Sequence, residues 1–391
     1  MRQAYTILPV YSGDVSGVCS ALYELGGMVV MHDPSGCNST YNTHDEIRWY
    51  DRDSLIFLSG LCEPDAVMGN DKKFIEDVVR AAGEFKPVFI ALCNSPIPYL
   101  TGTDFSGICR IIEKRTGIPS FYIPTNGMHD YISGAGQAFE RLAGMLFGEC
   151  GSFPAPDEGE AAEKSSRSLN ILGMTPLDYA AEGCSRSLRG LCRENGWNVL
   201  SVWAMGDGLE DLTRAGSASV NLVVSASGLR TAKYLRKRFG TPWIAGAPVG
   251  NMKKRVFDRL GQAAESGICG TAYGEGAPES IKDPDVVVIG EPVLSCSIAE
   301  DYRMRGLTSA VIAATEESDL LIRPCDRICR GEEEIEEALQ ELCTQKTTVV
   351  ADPLYKYVVP EGTDLRPAAH LAFSGRIYAG RFKDPFAATS V

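Results

Sequence analysis

Short, almost wholly apolar runs alternate along this chain with stretches of helical period, and this alternation constrains the fold more than any other feature. KPVFIALC (Lys86 to Cys93) and IPSFYIP (Ile118 to Pro124) read as buried strands, beside helical patterns over Lys72 to Phe85 and Gly107 to Thr116. The pattern returns in LNILGMTP, WNVLSVWAMG, VNLVVSAS and TPWIAGAP, with helices expected near Asp178 to Asn195, Leu209 to Ala215 and Leu229 to Phe239. A third block opens with DVVVIGEPV, continues through a helix near Ile298 to Arg305 and closes with KTTVVADPL. Such alternation implies an α/β chain of two to three Rossmann-like, doubly wound parallel-sheet domains. GSFPAPDEGEAAEKSSRS has no apolar period and reads as a linker. The expected division is residues 1–150, linker 151–168, a second α/β domain 169–270, and a third unit with C-terminal segment 271–391.

At 391 residues with 44% hydrophobic content, the chain exceeds one ordinary core and suits several such units. Pro9, Gly13 and Asp14 break the opening stretch, and no apolar run reaches membrane-spanning length. A cytoplasmic protein with no membrane partner is expected. The net charge of -13 argues against a nucleic-acid partner, which needs clustered Lys and Arg. Thirteen cysteines without a secretory leader belong in a reducing compartment, as thiols or metal ligands.

No G-x-x-x-x-G-K-[ST] run occurs, and Gly134-Ala135-Gly136 lacks the third glycine and preceding strand of a dinucleotide site, so neither NAD nor an intrinsic ATP site is expected. Those glycines read instead as a helix start that packs closely. Nor is there a C-x-x-C pair, so any metal site must be gathered from separate segments. Cys19, Cys37, Cys62 and Cys93 are the candidates, expected at strand-to-helix turns. A thiolate ligand needs a loop with backbone N–H groups nearby, whereas a structural cysteine prefers the middle of a helix or strand. Residue pattern alone leaves both readings open for these four, while Cys109, Cys150, Cys192 and Cys343 fall in helical patterns and read as core. Ser225, Ser227, Glu291 and Cys296 stand at the carboxyl ends of later strands, where doubly wound folds bind ligands, and are the candidate substrate-cleft residues. Cys296 reads either as a helix-start thiol or as a buried helix residue.

Met31-His32-Asp33-Pro34-Ser35-Gly36-Cys37 resembles the H-G-P-x-G-C turn of the nitrogenase component 1 family. Cys62-Glu63-Pro64-Asp65-Ala66-Val67-Met68-Gly69-Asn70-Asp71-Lys72-Lys73 is similar to its E-x-D-x-V-F-G-G-x-x-K-L segment, and Leu100-Thr101-Gly102-Thr103-Asp104, followed by Gly117-Ile118-Pro119, to its I-G-D-D turn and the approach to the fourth strand. LNILGMTP and LRKRFGTPWIAGAPVG resemble family segments of equal position, so the likeness covers nearly the whole chain.

The resemblance implies an oxidoreductase with an iron–sulfur cluster, of [4Fe–4S] type, at a subunit interface. It carries a ligand role onto Cys37, then Cys19, with Cys93 or Cys62 completing the set. It implies a homodimer, or a heterodimer or heterotetramer with a related component 1 subunit, and electrons from a separate ATPase like the nitrogenase iron protein. The strand ending Val224-Ser225-Ala226-Ser227 has no cysteine, and His370, the only histidine beyond His129, lacks the family context, which argues against the nitrogenase-type molybdenum cofactor. Smaller relatives such as the Ni-sirohydrochlorin a,c-diamide and protochlorophyllide reductases fit better. A metallocofactor-assembly scaffold and a cluster-free α/β ligand-binding protein are the alternatives. YNTHDEIRWYDR, Tyr41 to Arg52, reads either as the docking segment for the electron donor or as an amphipathic helix packed on its own domain.

Overall fold

A computed structural model describes residues 5–34, 45–148 and 167–387. Three parallel sheets organise it. In the first unit, α1 (Asp14–Leu22) precedes β1 (Met28–His32) and β2 (Leu55–Leu58); α2 (Glu63–Met68) and α3 (Asp71–Phe85) lead to β3 (Ile90–Asn94); α4 (Pro96–Thr101) and α5 (Phe105–Thr116) lead to β4 (Ser120–Ile123); and α6 (Tyr131–Leu146) closes the unit. The strand order is β2-β1-β3-β4.

The second unit runs β5 (Ser168–Leu172), α7 (Cys184–Glu194), β6 (Asn198–Val202), α8 (Leu209–Leu212), β7 (Val220–Val223), α9 (Leu229–Phe239), β8 (Trp243–Ala245), α10 (Met252–Ser266) and β9 (Gly270–Thr271), with order β6-β5-β7-β8-β9. The third runs β10 (Val286–Gly290), α11 (Pro292–Met304), β11 (Ser309–Ala313), β12 (Arg327–Ile328), α12 (Glu332–Leu342), β13 (Thr348–Ala351), β14 (Asp364–Pro367) and α13 (Leu371–Ser374), with order β12-β11-β10-β13-β14. Each sheet reverses direction of growth beside its first or central strand: between β1 and β3, between β5 and β7, and between β10 and β13. Doubly wound sheets open a crevice at such points.

Local chemistry explains the elements. Phe74, Ile75, Val78 and Ala82 form the buried stripe of α3, and Phe105, Ile108, Cys109 and Ile112 that of α5. Burying each large side chain contributes roughly 1.5–3 kcal/mol. Asp104 caps α5 by accepting the Gly107 amide at 2.9 Å, and Gly117 ends it in the left-handed region. Most of α6 is buried, because it packs against α1 on one side and α9 on the other. Gly17 and Gly134 make the α1–α6 crossing close: a methyl on Gly134 would overlap the Asp14 carbonyl, and one on Gly17 the Tyr131 carbonyl. One apolar core continues from Ile7 through all three sheets to Phe373.

Several boundaries depart from the sequence reading. The strand expected from Lys86 begins at Ile90, because Lys86 takes φ 51° and ends α3. The helix expected from Asp178 begins at Cys184, after Gly183 at φ 87°. The helix expected near Ile298 begins earlier, at Pro292, capped by Glu291. The expected linker falls outside the described residues except for Arg167 and Ser168, and Ser168 already starts β5. Cys150 also lies outside them.

Gly134→Ala is expected to lower unfolding free energy by about 3 kcal/mol or more through overpacking. Gly83→Ala, in α3 with nothing near its missing methyl, is expected to raise it by about 0.5–1 kcal/mol. Urea denaturation of both variants checks the contrast.

Candidate functional site

Of the sequence-predicted thiols, Cys62 lies at the carboxyl edge of the first sheet. Cys37 lies outside the described residues. Cys62 is exposed at the start of α2, where its thiol donates to Asp65 Oδ2 at 2.8 Å. Asn70 donates to the other Asp65 oxygen, also at 2.8 Å, and these two hydrogen bonds hold the Asp65 carboxyl below its usual range. His32, at the end of β1, stacks on Phe74 at 4.1 Å with Nδ1 2.8 Å from Ser59 Oγ, and burial pulls its pKa down to about 4. It is therefore a neutral wall of this edge at pH 7.

Cys19 and Cys93 are placed differently. Cys19 sits inside α1, not at a turn, and is wholly buried; Cys93 is in the central strand β3, with its Sγ 3.8 Å from the Val30 carbonyl. Burial raises both thiols well above the ordinary range, and Cys93 is raised further by Cys19. Both are buried in the core of the first unit, whereas Cys62 is exposed. Among the described residues, no three His, Cys, Asp or Glu side chains converge on a metal-binding geometry. Cys109 and Cys192 are core residues as expected, and Cys343 is half-buried just beyond α12.

The candidate cleft residues meet, but as a closed joint. Ser225 Oγ lies 3.0 Å from Ser227 Oγ. Glu291 Oε1 accepts the Ala226 amide at 2.7 Å while its Oε2 caps α11 through Leu294 at 2.8 Å. All three residues are buried. Burial, and then Asp178, raise the Glu291 carboxyl. Beside them Tyr131 donates to Asp178 at 2.5 Å, and His370 Nε2 stands 3.3 Å from the same oxygen without a hydrogen bond to it. The cavity between Glu291, Ser295, Asp352, His370 and Phe373 is only about 40 Å³, room for a water or two. Ser225, Ser227 and Glu291 thus join the second and third units instead of lining an open cleft. Cys296 departs further: it is buried in α11, with its thiol 3.5 Å from Asp326 of the Arg323–Asp326 ion pair.

The docking segment needs the same correction at one residue. Arg48 is a clamp, not an outward anchor: it binds Glu46 at 2.7 Å, Glu24 at 3.1 Å, the Ser20 carbonyl at 2.9 Å and, across to the second unit, the Ala204 carbonyl at 3.0 Å. Its guanidinium also covers the Tyr23 ring. Trp49 and Tyr50 do face outward. Residues 41–44 lie outside the described residues. The joint residues Asp130, Asp178 and Asp352 were not singled out by the sequence reading; the signal available was an acidic residue directly before a helical or apolar run, as in HDYIS and ADPLY.

Alkylation of the native protein by iodoacetamide is expected to label Cys62 quickly and to leave Cys19 and Cys93 unlabelled until denaturant is added. Peptide mass mapping reads this directly, and early labelling of Cys93 would contradict the closed core.

The model of the family described as nitrogenase component 1 type oxidoreductase matches residues 17–270. The chain is 24% identical over 224 residues to the nitrogenase iron–molybdenum cofactor biosynthesis protein NifE of Klebsiella pneumoniae, covering 56% of this chain and 48% of that protein. It is 37% identical over 238 residues to a light-independent protochlorophyllide reductase subunit from Zygnema circumcarinatum, covering 59% of this chain and 45% of that one. The chain thus spans about half the length of these curated relatives. A solved structure of nitrogenase Cp1 at pH 5 superposes with a TM-score of 0.63 at 16% identity, over 94% of this chain and 84% of the other, which shows a shared fold. With most of its length matched by the family model and its three parallel sheets superposable on that fold, this chain belongs to the nitrogenase component 1 type oxidoreductase family.

Proposed function

We propose that this chain is one subunit of an oligomeric reductase that receives electrons from a separate ATPase resembling the nitrogenase iron protein. The observation that carries this reading is the family match over residues 17–270 on a three-sheet architecture. In this reading Cys37 and the exposed Cys62 are this chain's contribution to an iron–sulfur cluster of [4Fe–4S] type, and a related subunit completes the ligand set. Thiolate sulfur suits iron, and a bound cluster would supply single-electron transfer. What this chain does with its own residues is narrower. Asp65 and Asn70 fix the Cys62 turn, His32 walls it without charge, and the outward Trp49 and Tyr50 offer aromatic anchors for a partner. Cytoplasmic placement belongs to the same proposal.

A metallocofactor-assembly scaffold is the second reading, favoured by the match to a cofactor biosynthesis protein. ATP-dependent substrate reduction belongs to the reductase, and transfer of metal to a recipient protein to the scaffold.

Anaerobic purification with the chain's natural partners is the test. Bound iron and a paramagnetic signal are expected, both lost in Cys37→Ala and in Cys62→Ala and retained in Cys343→Ala. Iron-free, monomeric protein after cluster reconstitution would return the chain to a cluster-free ligand-binding role, and reduction by the partner without nucleotide would exclude the ATP-switched donor.

A further inference from the structure

Arg255 and Arg259, one turn apart on α10, line a groove of about 310 Å³ together with Thr271, Ala272 and Tyr273, at the carboxyl end of β9, and Glu275. Doubly wound folds take ligands at the carboxyl ends of their strands, and this volume is at the lower end of the range for small-molecule sites. Asp258, between the two arginines in sequence, does not line the groove.

The charges behind the groove do not balance. Glu300, wholly buried, pairs with Arg255 at 2.6 Å and Arg303 at 2.5 Å and stands 3.8 Å from Arg323. Asp326, also buried, pairs with Arg323 at 2.8 Å. Arg259 is half-buried, and its side chain meets only the Gln262 side-chain oxygen, at 3.4 Å, among the described residues. The guanidiniums of Arg255, Arg259, Arg303 and Arg323 are thus matched in the interior by Glu300 and Asp326 alone. The carboxylate that meets this surplus is Glu275, whose side chain is 78% exposed and 3.5 Å from Arg255. It stands between Gly274 at φ 89° and Gly276 at φ 70°, on an exposed turn from which a side chain moves aside without repacking the interior.

We propose that this groove is a binding site for a compact dianion, a phosphate group or a dicarboxylate, held by Arg255 and Arg259, with Glu275 as the internal counter-ion that the ligand displaces. Glu300 holds Arg255 through Nη1, which leaves Nη2, the nitrogen nearest Glu275, to the ligand. A guanidinium suits this role because its planar fork meets two oxygens of one oxyanion and its charge is permanent. The groove belongs to the second unit and none of its lining residues is a thiol, so the inference stands apart from the reductase reading.

Calorimetric titration of the full chain at low ionic strength, with inorganic phosphate and separately with succinate, tests the site. One saturable site is expected. Binding of phosphate alone assigns a phosphate ester, of succinate alone a dicarboxylate, and of both a site selected by charge. Arg259→Gln should weaken binding by about tenfold or more, and Glu275→Gln, which removes the competing carboxylate, should tighten it by about tenfold. Arg80→Gln, exposed in the first unit, should bind as wild type does. Arg255 is kept, because its removal would leave Glu300 buried with fewer cations. No saturable binding of either anion to wild type or to Glu275→Gln overturns the proposal, as does an Arg259→Gln variant, folded by circular dichroism, that binds as tightly as wild type. Should Arg259→Gln fail to fold, Glu275→Gln decides, and binding no tighter than wild type sinks the site.

Discussion

Glu291 and Asp130 each start a helix with one carboxylate oxygen and hold a neighbouring unit by its backbone with the other. The rest of the architecture depends on this double use. A buried amide left unpaired costs about 1–3 kcal/mol, so a carboxylate that serves both a helix start and a foreign amide fixes the units at a defined distance. Carboxylates hold distant backbone elsewhere, where Glu24 accepts the Gly206 amide at 3.0 Å, Asp301 the Asn251 amide at 2.7 Å, and Glu332 the Thr6 and Ile7 amides at 2.6 and 2.7 Å, but at Glu291 and Asp130 the same group also caps a helix start. Helix initiation and unit placement are thereby one event, and loss of either partner disturbs both.

This bracing explains why the second and third units meet at a sealed joint. In an isolated doubly wound sheet the reversal point would be open to a ligand. Here the β5/β7 reversal is covered by the Ser225–Ser227 turn and by Glu291 reaching over from the β10/β13 reversal, with Tyr131 of the first unit donating to Asp178 alongside. The first sheet is different. Beside its carboxyl edge lies α2, where Cys62 and the apolar Val67 and Met68 remain exposed. The exposed side chains lie on that edge, and not at the sealed joint.

The fold was largely legible because its signals are local. The stripes of α3 and α5 and the apolar strands 220–223 and 286–290 need only spacing and composition to be seen. β11 and α12 escaped because Ser309–Ala313 is short and weakly patterned, and α12 opens with three glutamates that look like a solvated loop. The site was less legible for a physical reason. Cys19 stands among Gly, Ser and Val in a run that resembles a turn, but Asp14 starts a helix there and Gly17 lets it sink against α6, which takes the thiol into the core. Arg48 lies in the expected docking segment, and besides its sequence neighbour Glu46 its inward direction is set by Glu24 and the Ala204 carbonyl, partners that sequence proximity does not reveal.

The continuous core also limits how such a molecule can move. Residues from Ile7 to Phe373 share one apolar cluster, so a hinge through its middle would expose packed surface from all three sheets at once, whereas cores are bistable only where the packing is interrupted. Beside that core, Ala204 and Glu317 hold positive-φ backbone under side-chain restraint, Ala204 from Arg48 and Glu317 from Arg230. Both restraints are arginine contacts made across a unit boundary. Any change of shape compatible with an intact core must therefore act through these turns, by exchanging a few charged contacts and not by repacking the interior.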